Sequence, residues 1–161
     1  MSLALITFAV KNGVIISTLT SVIASIGTTL NYVKPRSINY EFAKKIEELD
    51  LTYTLDMIGN LVKTISSINL SELATAHIKG ILETLEKINN EMYQLRCMTN
   101  KYVIKPYIWF GLYDFNDKVE HLVILKGVLI RRYKLLLDTL SHVEPLIKNS
   151  TAISVIEQHQ L

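Results

Sequence analysis

The sequence predicts an all-α fold, a bundle of four to five helices in a single domain. Three observations lead there. Apolar residues recur three and four positions apart through several long segments, which is the signature of one helix face. No window alternates with a period of two between turn signals. Six Gly and three Pro in 161 residues are too few for a turn-rich β chain. At 18.3 kDa, with 49% hydrophobic and 20% charged residues, the chain is long and apolar enough to bury one core. The bundle is expected over residues 1–145, with 146–161 a C-terminal tail or short helix.

The first helix is expected from about residue 3 to 33. Between Met1 and Val33 the only charged side chain is Lys11. Ile15, Leu19, Val22, Ile26, Leu30 and Val33 share one face. The other face carries Ser17, Thr18, Thr20, Ser21, Ser25, Thr28 and Thr29. A Ser or Thr hydroxyl can bond back to a carbonyl of its own helix, so such a face tolerates lipid as well as water. The uncharged run Gly13 to Leu30 is near the lower limit for crossing a bilayer, and its hydroxyls make spontaneous insertion marginal. With no basic start and no small-residue cleavage site, it does not read as a signal peptide. Pro35 ends the helix and pushes Lys34 toward an extended conformation.

The second helix is expected to start at Asn39, with Glu41 in its first turn. Its stripe runs through Phe42, Ile46, Leu49, Tyr53, Ile58, Leu61, Ile65 and Ile68. Asn69 then caps a third helix, with Glu72 three residues on. The third stripe, Ile78, Ile81, Leu85, Ile88, Met92 and Leu95, alternates three and four as in a bundle seam. A break follows over Thr99 to Phe115, which holds Pro106, Gly111 and an aromatic cluster that reads as core. Asp114 is the expected N-cap of a fourth helix carrying Val119, Leu122, Leu125, Leu129, Tyr133, Leu136, Leu140 and Val143. Pro145 is expected to end or kink it. Gly27, Gly59, Gly80 and Gly127 fall inside helices, either tolerated or marking close helix approach.

No catalytic constellation stands out. There is no H-E-x-x-H, no Walker loop, no G-x-G-x-x-G and no G-x-S-x-G. His77, His121, His142 and His159 lack ligand spacing and read as exposed or capping residues. The single Cys97, beside Arg96, excludes a disulfide scaffold and reads as a buried thiol. Glu47, Glu48, Glu83, Glu86 and Glu91 read as solvated helix faces. The chain is therefore expected not to be an enzyme and to need no cofactor or metal. A net charge of +2 does not argue for nucleic acid. Lys34 and Arg36 follow the apolar helix, and Arg131, Arg132 and Lys134 cluster on the last helix near Lys126. These are either an ordinary charged face or a contact for anionic lipid headgroups.

The stretch Lys105-Pro106-Tyr107-Ile108-Trp109-Phe110-Gly111-Leu112-Tyr113-Asp114, followed by a long Leu-rich helix, resembles the HeLo and HeLo-like domains of fungal cell-death proteins. Trp109, Leu112 and Asp114 stand where that family carries its bundle signature, with Leu112 one position further from Trp109 than the family's form. The apolar, Gly-containing first helix is also similar. The same bundle is related to the mixed-lineage-kinase-like necroptosis effector and to plant resistance-protein N-terminal bundles. The resemblance implies a cytoplasmic bundle in a cell-death or defence pathway that self-associates and becomes membrane-associated on activation. Its first helix would then enter and permeabilise an anionic bilayer, with Ile15, Leu19, Val22, Ile26 and Leu30 as the inserting residues. An upstream sensor or homologous bundle is the further partner it implies. Two other readings stand beside this one: a soluble helical adaptor or inhibitor that binds a partner helix or a homologous bundle, and a constitutive single-span membrane protein.

Overall fold

The computed structural model describes the backbone of residues 3–36, 40–66, 70–104 and 115–158. Side chains are described for these residues apart from 3–12, 102–104 and 143–158. Every regular element among the described residues is helical: α1 (Leu3–Val33), a 3-10 turn (Lys34–Arg36), α2 (Tyr40–Glu48), α3 (Leu51–Ile65), α4 (Glu72–Ile104) and α5 (Phe115–Gln158). The architecture is a single all-α helical bundle.

Four expectations need correction. The expected second helix is two helices. Asp50 between them has φ 45°, ψ 43°, a left-handed conformation that ends α2 and restarts the chain as α3. Phe42, Ile46 and Leu49 are buried from α2, whereas Leu51, Leu55, Ile58, Val62 and Ile65 are buried from α3. Leu49 and Leu51 cannot share the face of one helix, so the break brings both inside. Tyr53, expected in the stripe, is 67% exposed. Second, α4 starts at Glu72, capped by Ser71, whose Oγ accepts the Ala74 N–H at 3.1 Å. Third, α1 does stop before Pro35, but Lys34 enters a 3-10 turn instead of extended chain. Fourth, α5 stays helical through Pro145 to Gln158, so 146–158 is neither a tail nor a separate short helix.

Side-chain contacts set the helix order and sense. Ser25 meets Asn89 and Tyr32 meets Asn100, so α1 and α4 ascend together. Arg132 meets Glu83 and Lys118 meets Glu91, so α5 runs antiparallel to α4. Lys45 meets Asn116 and Lys126 meets Leu49, so α2 and α5 run the same way. α3 packs on α1 and α5. Around the bundle the order is α1, α4, α5, then α2 with α3. α4 is the central strut, with Ile78, Ile81, Leu85, Ile88, Met92 and Leu95 all at most 2% exposed. Leu19, Ile26, Leu30 and Val33 of α1 and Val119, Leu122, Leu125, Leu129 and Leu136 of α5 complete the core.

Candidate functional site

The candidate site is α1 and the contacts that hold it. The segment Gly13–Arg36 is long and apolar enough to cross a membrane, with a mean hydropathy of 1.7 and only 22% of its most apolar window buried. Core helices of soluble proteins share that property, so the packing around α1 decides how it can be used. Of the five residues expected to insert, Leu19, Ile26 and Leu30 are fully buried in the bundle, and Ile15 and Val22 are half-buried against the same core. The outward face is built as the sequence suggests. Ser17 and Thr18 donate to the Val14 carbonyl, Thr20 to Ile16 and Thr28 to Ala24, at 2.9–3.0 Å. These hydroxyls are satisfied inside their own helix and would remain so in lipid. Thr29 departs from the expected polar face and is buried at 5% exposure.

α1 and α5 are held in different ways. The described polar side-chain contacts of α1 with other helices all go to α4. Ser25 donates to Asn89 Oδ1 at 2.9 Å, and Tyr32 donates to Asn100 Oδ1 at 3.4 Å. The Tyr32 ring also carries two guanidinium groups, Arg36 at 4.0 Å and Arg96 at 4.6 Å from its centroid. Such exposed stacks contribute roughly 0.5–1 kcal/mol each. Among the described residues, no carboxylate is bound to α1.

Charges, by contrast, clasp α5. Glu91 of α4 has a side chain only 10% exposed, with Lys118 Nζ 3.0 Å from Oε2 and His121 Nδ1 3.1 Å from Oε1. Oε2 has no directed hydrogen bond, so the Lys118 contact is ionic. Glu91 is thus a buried anchor and not a solvated residue, a role its sequence neighbours do not reveal. Arg132 donates to the Gly80 carbonyl and, at 2.9 Å, to Thr84 Oγ1, with Glu83 at 3.7 Å. Gly80 is where close approach is real: an added Cβ would meet the Arg132 guanidinium at 3.4 Å, whereas Gly27, Gly59 and Gly127 face open space. Lys126 reaches from α5 to the Leu49 carbonyl at 2.6 Å, and Lys45 donates to Asn116 at 2.8 Å.

The expected headgroup residues therefore divide. Arg132 is half-buried and committed to α4, while Arg131 and Lys134 are exposed on α5. Lys34 lies 3.9 Å from Glu47, and Arg36 bonds the Tyr32 carbonyl at 3.2 Å. The five do not form one patch. Cys97 is half-buried instead of fully buried. Trp109, Leu112 and Asp114, with the rest of 105–114, lie outside the described residues. Phe115, the last of the aromatic cluster, packs edge-on against Phe42 at 5.2 Å. Comparison with known protein families, curated proteins and solved structures finds no match.

Proposed function

We propose that this protein is a membrane-targeting helical bundle that self-associates and permeabilises an anionic bilayer by releasing α1 into it, as a defence or cell-death effector. The observation that carries this reading is the asymmetry of restraint. Among the described residues, α1 is tied to the bundle by apolar packing, exposed neutral hydrogen bonds and the Arg96–Tyr32 stack, without an ion pair, whereas α5 is clasped by buried and half-buried charges.

Magnitudes explain why α1 stays docked in water. Leu19, Ile26, Leu30 and Val33 are fully buried, and exposing such side chains to water costs about 1.5–3 kcal/mol each. The sum, roughly 6–12 kcal/mol by that scale, is comparable to the whole stability of a domain. A bilayer removes most of that penalty, because acyl chains are as apolar as the core. The same residues therefore keep α1 docked in solution and permit its transfer when lipid is present.

A reversible lock tests this. In a Cys97→Ser background, Ser25→Cys and Asn89→Cys place two thiols where the native side chains are 2.9 Å apart. The oxidised protein should release no dye from anionic vesicles, and reduction should restore release to the level of the unlocked chain. Release by the unlocked chain no greater than that of an inert soluble protein would overturn the proposal, as would release that ignores the lock.

A further inference from the structure

The seam between α1 and α3 is open on its outer side. It holds two adjoining cavities of about 260 and 270 Å3 that share Ile23, Leu55 and Asp56 as lining. Gly27 borders the first and Gly59 the second, and nothing lies within 4 Å of a Cβ added at either. Two exposed charges stand on this seam, Asp56 and Lys63, and neither forms an ion pair among the described residues. They are seven residues apart on α3, so they share a face and stand about 10 Å apart along it.

The outer face of α5 presents the complement. On α5, Arg131 and Asp138 are exposed, are seven residues apart, and form no ion pair among the described residues. Leu135, 52% exposed, lies between them on the same face, and Ile124, 63% exposed, lies two turns before Arg131. The order of charge is acid then base on α3, and base then acid on α5. A helix laid parallel to α3 brings Arg131 to Asp56 and Asp138 to Lys63 at matching spacing, with Leu135 over the opening beside Gly59.

We infer that the outer face of α5 docks into the α1/α3 seam of a second copy of this chain. The two surfaces are different, so the contact is heterologous and leaves a free seam on one copy and a free face on the other. α3 and α5 descend together within one bundle, so docked copies share the same up–down sense, the arrangement a ring or file requires and a two-fold dimer does not. Both charged anchors stand on α3, so the two ion pairs of the contact do not depend on α1. The inference rests on the self-association in the proposed function but not on its membrane step.

Charge exchange in lipid-free buffer tests it. Wild type at rising concentration should show a growing mass by sedimentation or light scattering. Asp56→Lys with Lys63→Glu should lower its apparent association constant at least tenfold, as should Arg131→Glu with Asp138→Lys. The chain carrying all four substitutions should recover association to within about threefold of wild type, with circular dichroism unchanged throughout. A wild-type chain that stays monomeric at several hundred micromolar overturns the inference. So does an association constant that the paired substitutions leave unchanged, or one that the fourfold variant fails to recover. Vesicle leakage plays no part in this readout, so a failure here is distinct from failure of the membrane proposal.

Discussion

Burial decides which half of the Glu91 clasp is costly to remove. The Glu91 side chain is 10% exposed, Lys118 is 30% exposed and His121 is 55% exposed. Lys118→Met strands a carboxylate that cannot reach water, with His121 as its remaining neighbour. Stranding one charge of a fully buried pair costs about 3–5 kcal/mol. The partial exposure of the lysine and the surviving histidine reduce this to about 2 kcal/mol. Glu91→Gln keeps the shape and leaves Lys118 and His121 able to turn outward, so its cost should be about 1 kcal/mol. Glu91→Leu with Lys118→Met removes both charges and should come within about 1 kcal/mol of wild type. Urea unfolding at pH 7, with free energies from linear extrapolation, measures all three. Equal costs for the two single substitutions, or the reverse order, would refute the burial argument. A double substitution as damaging as the sum of its parts would show that the clasp carries no coupling energy.

Three further outcomes follow from the packing. Leu85→Ala, at a residue with no exposure at the centre of α4, should cost about 2–5 kcal/mol in the same urea titration, whereas Leu73→Ala, 60% exposed, should stay within about 0.5 kcal/mol. Ser71→Ala removes the oxygen that accepts the Ala74 N–H and should lower stability by about 1 kcal/mol, read as a thermal midpoint several degrees lower. At Asp50, where φ is 45°, Asp50→Gly should hold or slightly raise that midpoint, whereas Asp50→Val should cost about 1–2 kcal/mol.

What could be read from the residues follows physical lines. The stripes of α1, α4 and α5 were legible because each keeps one phase over many turns, and most of their described positions are buried, with Ile15, Val22, Tyr133 and Leu140 half-buried against the same core. The break at Asp50 was not, because the spacing of four from Leu49 to Tyr53 imitates helix continuation. The step of five from Tyr53 to Ile58 was the available sign, and Leu51, Leu55, Ile58, Val62 and Ile65 give the true phase. The helix end offered as one outcome at Pro145 does not occur, since a proline signal is local and α5 continues across it. At the candidate site, the hydroxyl back-bonding of α1 could be anticipated because it depends on residues four apart. The clasps could not. Glu91 with Lys118, and Gly80 with Arg132, are 27 and 52 residues apart and meet only because α4 and α5 are antiparallel. Nothing local distinguishes Glu91 from Glu86, or Arg132 from Arg131.

The pairing of α1 with α4 has a consequence during synthesis. Its two bonds to that helix join residues 64 and 68 positions apart. A ribosome adding about 5–20 residues per second needs roughly 3–14 s to make that stretch. For those seconds the nascent chain displays an oily helix with a single lysine, whose proper neighbour has not yet been translated. Cellular factors that scan emerging polypeptides for hydrophobic segments meet it in that interval, before the finished protein can conceal it.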